Sequence, residues 1–247
     1  MAHPLTRAAE AAFALVLPPR CPGCGVVVDA DGRFCVACFA GLVQLGPPWC
    51  TRCGEPFAEA VEPGTVCERC AAEPPAFAAA RGAVAYEDRA RRMVLKLKHG
   101  DATHLAEACA AQMLRAGVDW LRPPAVIVPV PLWRWRLWRR GYNQSALIAR
   151  SLARRRGLPV LLDGLVRVRS TPASGGLTRA ERYANVAGAF AVNRPDQLAG
   201  RPVVLIDDVI TAGATAHACA LALTAAGAGP VNALAFARVV RGASPAH

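Results

Sequence analysis

Short apolar runs alternate with helical patterns through the last two-thirds of this 247-residue chain. Runs such as AVIVPV and PVVLI are continuously apolar, which is typical of strands buried on both faces of a sheet. Because strands and helices alternate, we predict a mostly parallel sheet flanked by helices, an α/β fold. The predicted strands are 83–86, 125–130, 158–162, 202–206 and 231–236, and the predicted helices are 88–98, 102–116, 143–156 and 213–227.

The first third of the chain lacks this pattern and has few large apolar residues. A segment of that kind buries too little surface to fold without cross-links or a metal. The chain as a whole is 53% hydrophobic and 19% charged, which is a globular composition. We predict four parts: 1–20 as a short helix and a proline-rich stretch, 21–75 as a cysteine-rich module, 76–82 as a linker and 83–247 as the α/β domain.

The N-terminal stretch 5–17 is apolar but interrupted by Arg7 and Glu10. It runs into Pro18 and Pro19 without the small-residue cleavage site of a signal peptide, so a short helix packed on a neighbouring element is the better interpretation. No stretch approaches the roughly 20 apolar residues that a membrane helix needs. We therefore predict no transmembrane segment and a cytoplasmic location.

Four C-x-x-C pairs occur within the first seventy residues. Paired thiolates at this spacing predict two tetrahedral zinc sites, each with four cysteine ligands, and the absence of a signal peptide disfavours the alternative of a disulfide scaffold. We assign the first four cysteines to one zinc ion and the last four to the other, although interleaved sets are also open. Cys109 and Cys219 lie in Ala-rich helical patterns and are expected to be small buried hydrophobes. The predicted ligands are Cys21, Cys24, Cys35, Cys38, Cys50, Cys53, Cys67 and Cys70.

Charge is distributed unevenly along the chain, whose formal net charge is +11. Residues 1–75 contain 5 Lys and Arg against 8 Asp and Glu, whereas residues 76–247 contain 24 against 10. The α/β part is therefore strongly basic, which favours ligands that carry phosphate, either nucleic acid or a small molecule.

One predicted strand end carries most of the candidate chemistry, in the string VVLIDDVITAGAT at 203–215. In parallel sheets, ligands bind beyond the carboxyl ends of the strands. The small and hydroxylated residues of TAGAT allow backbone N–H groups to surround a phosphate at a helix N-terminus, where Thr215 either caps the helix or contacts the phosphate. Asp207 and Asp208 suit sugar hydroxyls or a Mg²⁺ ion. The string therefore predicts a sugar-phosphate site.

This string resembles the phosphoribosyl-pyrophosphate (PRPP) motif of type I phosphoribosyltransferases. Over nearly its full length the chain resembles the ComF family, bacterial proteins linked to DNA uptake in natural competence. The resemblance implies a double zinc ribbon followed by a type I phosphoribosyltransferase-like domain. It is carried, in the family's order, by LPPRCPGCG, the four C-x-x-C pairs, LKLKHG (95–100), VPVPL (128–132), RRGYNQSALIARSLA (139–153) and GLTRAERYANVAGAF (176–190).

The resemblance also implies roles for individual positions. The two aspartates hold the ribose hydroxyls, the loop 211–215 holds the 5′-phosphate, the turn after VPVP faces the pyrophosphate, and GGLTRAERYANV is a mobile flap. Ala212 replaces a threonine common in relatives, which removes a hydroxyl but keeps the backbone donors. The implied PRPP-binding residues are Asp207, Asp208, Val209, Ile210, Thr211, Ala212, Gly213, Ala214 and Thr215, with Arg139, Arg140, Asn143, Gln144 and Arg179 at the pyrophosphate and the flap.

The activity implied is Mg²⁺-dependent binding of PRPP, with transfer of ribose 5-phosphate to an acceptor that the sequence leaves unidentified. No general base stands out, since His99, His104 and His217 are expected to be surface or supporting residues. A non-catalytic relative that has kept the phosphate site is the other interpretation. The implied partners are PRPP or another phosphoribosyl ligand and proteins of the competence machinery, with zinc at both four-cysteine sites and Mg²⁺ accompanying PRPP.

The stretch WRWRLWRRGYNQ at 133–144 favours a different function. Nine arginines and no acidic residue lie between Trp120 and Leu162, and single strands bind basic grooves in which bases stack on aromatic rings. The alternative is therefore a non-catalytic module that handles single-stranded DNA. On the α/β interpretation, the tryptophans are expected to pack on the sheet edge or against the ribbons, and Asn143 either contacts ligand or caps the following helix.

Overall fold

A parallel sheet forms the centre of the computed structural model, which describes residues 18–99, 102–172 and 175–241. The strands are β1 (Ala79–Ala85), β2 (Val126–Pro129), β3 (Leu165–Arg167), β4 (Phe190–Val192), β5 (Val203–Ile210) and β6 (Val231–Arg238). The helices are α1 (Val36–Ala40), α2 (Glu68–Ala72), α3 (Asp88–His99), α4 (Leu105–Ala116), α5 (Arg134–Arg140), α6 (Gln144–Arg156), α7 (Arg179–Val186) and α8 (Ala214–Ala225). The helix predicted at 5–17 lies outside the described residues.

The sheet has the order β1-β6-β5-β2 with all three pairings parallel, and β3 and β4 form a separate antiparallel pair. Helices cover both of its faces because its strands are apolar on both. Alternate residues of β5 contribute to two cores, one with α3, α4 and α6 and the other with α8 and the β3-β4 pair. Cys109 is fully buried in the first core and Cys219 in the second. The predicted parallel sheet with helices on both faces is confirmed, and so is the interpretation of these two cysteines.

Three strands are longer than the sequence predicts, and one of them is β6, which continues from the predicted end at Phe236 to Arg238. β1 begins at Ala79, so residues 79–82 of the predicted linker belong to the sheet. β5 continues beyond the predicted end at Ile206, through both aspartates to Ile210, because β6 runs beside it as far as Arg238. The aspartates therefore lie inside a paired strand and are held by its hydrogen bonds.

The strand predicted at 158–162 is wrong. It reduces to a single parallel bridge between Val160 and Ile127, in which Ile127 N–H donates to Pro159 O at 2.9 Å and Leu161 N–H donates to Ile127 O at 2.9 Å. Pro159 has no N–H to extend the ladder, and the chain turns immediately afterwards. This segment therefore pairs with β2 only around Val160.

Besides α1 and α2 in the cysteine-rich module, two helices of the α/β part, α5 and α7, lie where the sequence predicts none. α5 ends at Gly141, which has a left-handed φ of +80°. α7 begins at a capping box in which Thr178 and Glu181 each accept from the other's backbone N–H. The predicted helix at 102–116 is present but begins at Leu105. Across the described ranges, no helix has both the length and the apolar character that a membrane crossing requires.

The cysteine-rich module covers the outer edge of β1. Leu45 N–H donates to Ala83 O at 3.0 Å, and Ala85 N–H donates to Val43 O at 2.8 Å, around an antiparallel bridge. This pairing satisfies backbone groups that an edge strand would otherwise leave open. The module thus adds a short fifth strand position to the sheet.

A buried ion pair joins the same module to the end of β6. Glu55 accepts from Arg238 Nη2 at 2.7 Å, with the two residues 6% and 1% exposed, and its other oxygen accepts Arg241 N–H at 2.7 Å. Burial opposes the carboxylate charge, but the N–H of Arg241 and the guanidinium of Arg238 outweigh it and lower the pKa of Glu55. The pair is therefore charged throughout the neutral range.

We expect Glu55→Gln to lower the free energy of unfolding of the zinc-loaded protein by about 3–5 kcal/mol, because Arg238 would keep a buried charge without a counter-charge. Since the pKa of Glu55 is lower in the folded state, its contribution is present above the unfolded pKa of about 4.3 and is lost as the pH falls through the folded value. Urea denaturation at neutral and at acid pH checks both points.

The matched control is Asp163→Asn, which breaks a half-exposed pair with Arg194 and should cost at most about 1 kcal/mol. Equal losses from the two variants, or a loss in Glu55→Gln that persists at acid pH, would contradict the assignment.

Candidate functional site

The eight paired cysteines form two clusters, one from the first four along the chain and one from the last four. Within each cluster the four Sγ atoms all lie within 4.8 Å of one another. The Sγ atoms of Cys24 and Cys35 are 3.6 Å apart and those of Cys53 and Cys67 are 3.8 Å apart, close to the roughly 3.8 Å that thiolates have around tetrahedral zinc. Two zinc-binding sites of four cysteines each, with sequential ligand sets, are therefore confirmed.

Glycine shapes the turn at both zinc sites. Gly25 and Gly54 have φ of +80° and +72°, and their N–H groups donate to Cys21 O and Cys50 O at 2.8 Å each. A Cβ on Gly54 would lie 2.3 Å from Ala80 O. This glycine therefore serves both the zinc turn and the close approach of the second ribbon to β1.

The adjacent carboxylates of β5 differ in their surroundings because successive strand residues point to opposite faces. Asp208 is 4% exposed, with Oδ1 3.0 Å from Lys98 Nζ on α3 and Oδ2 accepting from Gln144 Nε2 at 2.8 Å. Both of its oxygens thus already have donors within the protein. These contacts suit an anchored supporting residue, and a direct role at the ribose hydroxyls stays a prediction.

The residues predicted at the start of α6 belong to the same network. Gln144 also accepts from Arg140 Nη1, so Arg140, Gln144, Asp208 and Lys98 form one continuous row. Asn143 caps α6. Its Oδ1 accepts the Ser145 N–H at 2.9 Å, and its Nδ2 donates to Val130 O, just beyond β2, at 3.0 Å. The capping interpretation of Asn143 is the one that its contacts bear out.

Asp207 faces an open pocket that it lines together with Thr211, Gly213, Thr215 and Arg182. Its Oδ1 accepts the Asp208 N–H at 2.8 Å and the Ser145 hydroxyl at 3.3 Å. Burial, together with the neighbouring carboxylate, raises the pKa of Asp207 to about 7. Asp207 therefore changes protonation near neutral pH, at the edge of the sheet where ligands bind.

The loop after β5 turns directly into α8. Gly213 is the N-cap, with φ of +82°, so Thr215 is the second residue of the helix, and of its two predicted alternatives the capping role is wrong. The N–H groups of a first helical turn have no acceptor within the helix, and they carry the positive end of its dipole. Thr211 and Thr215 line the pocket at this helix end. The loop thus has the features of an anion site.

The other residues predicted in this string contribute through the backbone. Val209 packs against one core and Ile210 lies in the other, while Ala214 is buried at the start of α8. Ala212 lines a second cavity on the far side of the loop. None of these side chains has a polar group to offer, so any contribution to ligand binding must come from their N–H and C=O groups.

The flap segment forms α7, and its two arginines face different cavities. Arg179 pairs with Glu73 of the cysteine-rich module, and its guanidinium lies 4.6 Å from the ring centre of Tyr183. Arg182, one turn further along, lines the pocket of Asp207. The predicted proximity of Arg179 to the phosphates stays a prediction, and Arg182 is the arginine of α7 that this pocket includes.

The tryptophans of α5 correct another prediction. Trp135 and Trp138 are 63% and 73% exposed and stack on each other, with ring centres 4.9 Å apart and planes 20° apart. No residue of α5 is buried, and Arg139 is exposed among them. The expectation that the tryptophans pack on the sheet edge or against the ribbons is therefore wrong for Trp135 and Trp138. Trp133, just before α5, is half-buried, and for it the expectation stays a prediction.

Two further arginines, which sequence reasoning did not assign to the sugar-phosphate site, meet at Thr171. Arg136 Nη2 donates to Thr171 O at 3.2 Å, and Arg167 on β3 donates to the hydroxyl of the same threonine. Burial, followed by the charge of Arg136, lowers the pKa of Arg167, and the charge of Asp207 opposes that shift. Arg167 thus interacts electrostatically with both Arg136 and Asp207. Lys98 and Arg182 were likewise not assigned to the site, although they lie in the motifs LKLKHG and GLTRAERYANVAGAF. Arg167 lies in none of the motifs that carry the family resemblance.

Comparison with known proteins gives two findings on sequence. A family model described as the double zinc ribbon domain matches residues 12–72. The DNA utilization protein YhgH of Salmonella typhimurium is 32% identical over 212 residues, which covers 84% of this chain and 91% of that protein. The Escherichia coli protein of the same name is 31% identical, with coverage of 77% and 84%. Competence protein F of Haemophilus influenzae is 42% identical over 97 residues, or 38% of this chain and 42% of that protein.

Solved structures also resemble part of the chain. One is described as the allosteric regulatory enzyme of purine biosynthesis, with 23% identity, a TM-score of 0.36 and coverage of 53% of this chain. Another is the glutamine PRPP amidotransferase of B. subtilis, with 23% identity, a TM-score of 0.35 and coverage of 52%. The matched region spans 25% of each of those chains.

We expect Cys24→Ser to reduce the bound zinc from two ions to one per chain, because three thiolates and a hydroxyl no longer make a closed site of four thiolates. Cys109→Ser is the matched control, since Cys109 is buried in the α/β core away from both clusters. Elemental analysis after dialysis against a chelator measures the ratio. Two retained ions in Cys24→Ser would contradict the assignment of this ligand.

Proposed function

Because the chain belongs to the ComF family, we propose that its α/β domain binds PRPP with Mg²⁺ in the pocket beyond the carboxyl end of β5. The relatives are named for DNA utilization and competence, and we extend that role to this chain. The observation that carries the proposal is the juxtaposition of Asp207 with the loop 211–215 in one pocket.

The pocket offers complementary groups for both ends of a ribose 5-phosphate. The first turn of α8 supplies N–H donors and a positive helix end for the 5′-phosphate, with Thr211 and Thr215 lining the pocket at the same helix end. Asp207 supplies a carboxylate for ribose hydroxyls at the adjacent strand end. Arg182 adds a positive charge at the rim. A phosphate and a vicinal diol on one molecule are the features that distinguish a phosphoribosyl group from free phosphate.

A cationic border lies on the other side of the acidic pair. Arg140 is linked to Asp208 through Gln144, and Arg136 and Arg167 converge on Thr171. We assign the pyrophosphate of PRPP to this border, in part through residues other than the Arg139 that the sequence suggests. The oxygen ligands that Mg²⁺ prefers are present in Asp207, and the ion would neutralise pyrophosphate charge when bound.

Transfer of ribose 5-phosphate is the reaction that this pocket supports. The bond from C1 to the pyrophosphate oxygen breaks with its electron pair on the leaving group, a lone pair of the acceptor forms the new bond, and the acceptor gives up a proton. Positive charge develops on the ribose, so nearby carboxylate and a stabilised leaving group matter most. Asp207 is the pocket residue whose pKa, about 7, suits proton exchange near neutrality.

We expect calorimetric titration to show PRPP binding that requires Mg²⁺ and that Asp207→Asn weakens about 10- to 100-fold, the equivalent of a hydrogen bond or ion contact to a charged group. Asp196→Asn, at an exposed acid after β4, should leave the affinity unchanged. Absence of binding by the wild-type protein in the presence of Mg²⁺ would remove the proposal.

The affinity for PRPP should also rise between about pH 6 and pH 8, because the raised pKa of Asp207 leaves the carboxyl partly protonated at the lower value. Ionisation of PRPP itself changes the affinity with pH equally in the wild-type protein and in Asp207→Asn. The comparison with Asp207→Asn therefore isolates the carboxyl, and an identical pH dependence in the two proteins would contradict its role.

A second function, binding of single-stranded nucleic acid, is favoured by the exposed face of α5. Much of the arginine-rich run is engaged elsewhere, since Arg154 and Arg155 both pair with Glu107. Arg134 and Arg139 remain exposed on α5. They flank the stacked tryptophan pair, whose outer faces are open to bases, and stacking contributes about 1–3 kcal/mol per base.

Trp135→Ala with Trp138→Ala should weaken binding of a short oligothymidine by at least about tenfold, through the loss of stacking. Arg134→Glu with Arg139→Glu should weaken it as well and reduce the slope of log affinity against log salt by about 1.4, since each phosphate contact on a single strand contributes about 0.7. Fluorescence anisotropy at several salt concentrations measures both effects. Arg20→Glu with Arg33→Glu, both exposed at the first ribbon, makes the same change of net charge, and equal effects from it would contradict an α5 footprint.

A further inference from the structure

A narrow cavity separates the second zinc ribbon, which carries the last four cysteine ligands, from the loop 211–215, called the phosphate loop after the role proposed for it. Two zinc ligands, Cys53 and Cys70, line one wall, and Ala212 and Gly213 of the loop line another. Phe77 closes the cavity, with two ring carbons 3.6 Å from the position that a Cβ on Gly213 would occupy. The ribbon and the loop are thus close neighbours, although they lie more than a hundred residues apart in the sequence.

A chain of contacts crosses from the ribbon to the loop through α7. Glu73, just after α2, pairs with Arg179, whose Nη2 donates to Tyr183 Oη at 3.4 Å. The Tyr183 hydroxyl in turn donates to Ala212 O at 3.3 Å. The first residue of α7 is therefore tied to the ribbon, and the next turn of the same helix is tied to the loop.

A second chain of contacts reaches the first turns of α8. Ala76 N–H donates to His217 Nδ1 at 3.0 Å, and the imidazole ring lies 5.1 Å from the ring of Tyr183. Because Nδ1 accepts this bond, the histidine is neutral; burial, and then the charge of Arg179, lower its pKa. The junction segment 73–77 thus contacts both α7 and α8, the two helices that border the phosphate loop.

We propose that the segment 73–77 and Tyr183 form a latch through which the second zinc ribbon positions the phosphate loop and holds α7 over it. Glu73 and Tyr183 are positioning residues in this arrangement and do not touch the ligand. The proposal rests on the proposed function in taking the loop as the ligand site. It adds that ligand binding and order in the ribbon junction are coupled in both directions.

Hydrogen–deuterium exchange on the full-length, zinc-loaded protein without ligand tests the latch directly. Tyr183→Phe removes the hydroxyl that bridges Arg179 and Ala212 and should raise exchange across 211–216 and 179–186. Glu73→Gln should do the same to a smaller extent, because Glu73 is exposed and its ion pair is weak. Asp29→Asn, which breaks an exposed pair with Arg33 in the first ribbon, should leave both segments unchanged.

Ligand linkage provides the second measurement. In the wild-type protein, PRPP with Mg²⁺ should lower hydrogen–deuterium exchange at 71–77. Tyr183→Phe should lose this protection, and its affinity for PRPP should be about three- to tenfold lower than that of the wild type. Zinc content and the midpoint of thermal unfolding should stay at wild-type values, which separates positioning from general destabilisation.

The two proposals fail in different ways. Unchanged exchange at 211–216 in both variants overturns the latch, whether or not PRPP binds. If exchange rises as expected but the protein shows no affinity for PRPP, the latch is supported and the assignment of PRPP as the ligand is overturned. Increased exchange throughout the chain with a lower unfolding midpoint also overturns the latch, since the hydroxyl would then be stabilising the whole fold.

Discussion

Two adjacent carboxylates near the end of a buried central strand impose the main constraint on the α/β domain. Both charges would be costly in this setting without donors, and the two also repel each other. Lys98 from α3 and Gln144 from α6 neutralise and bond Asp208, which ties the positions of both helices to the strand. Asp207 receives less compensation, and its pKa rises to about 7. The raised pKa of Asp207 and the anchored carboxylate of Asp208 therefore result from one arrangement.

The zinc ribbons compensate for what the α/β domain lacks. Its outer strand β1 would present an open edge, and the module pairs with that edge around Gln44. The last strand ends in Arg238, a fully buried cation whose counter-charge comes from Glu55 of the second ribbon. Zinc allows a segment with little apolar surface to hold these groups in fixed positions. The ribbons are therefore structural parts of the domain that carries the pocket.

Much of this arrangement could be predicted from patterns that depend on local spacing. The C-x-x-C pairs indicated both zinc sites, and continuous apolar strands indicated the parallel sheet. The exposed face of Trp135 and Trp138 could not be predicted, because apolar residues at helical spacing ordinarily indicate burial. Nor could the sequence separate the roles of Asp207 and Asp208. That difference depends on Lys98, a residue 110 positions away whose distance from the strand is set by helix packing.

The short helix α5 connects the two candidate functions. It begins beyond β2 with the exposed tryptophan pair and ends at Arg140, which is linked through Gln144 to Asp208. A nucleic acid bound on its outer face and a phosphoribosyl ligand in the pocket would therefore act on the same short helix. Binding at either place that shifts α5 would change the donors around the acidic pair. Coupling between the two sites would then follow from packing, without any direct contact between the ligands.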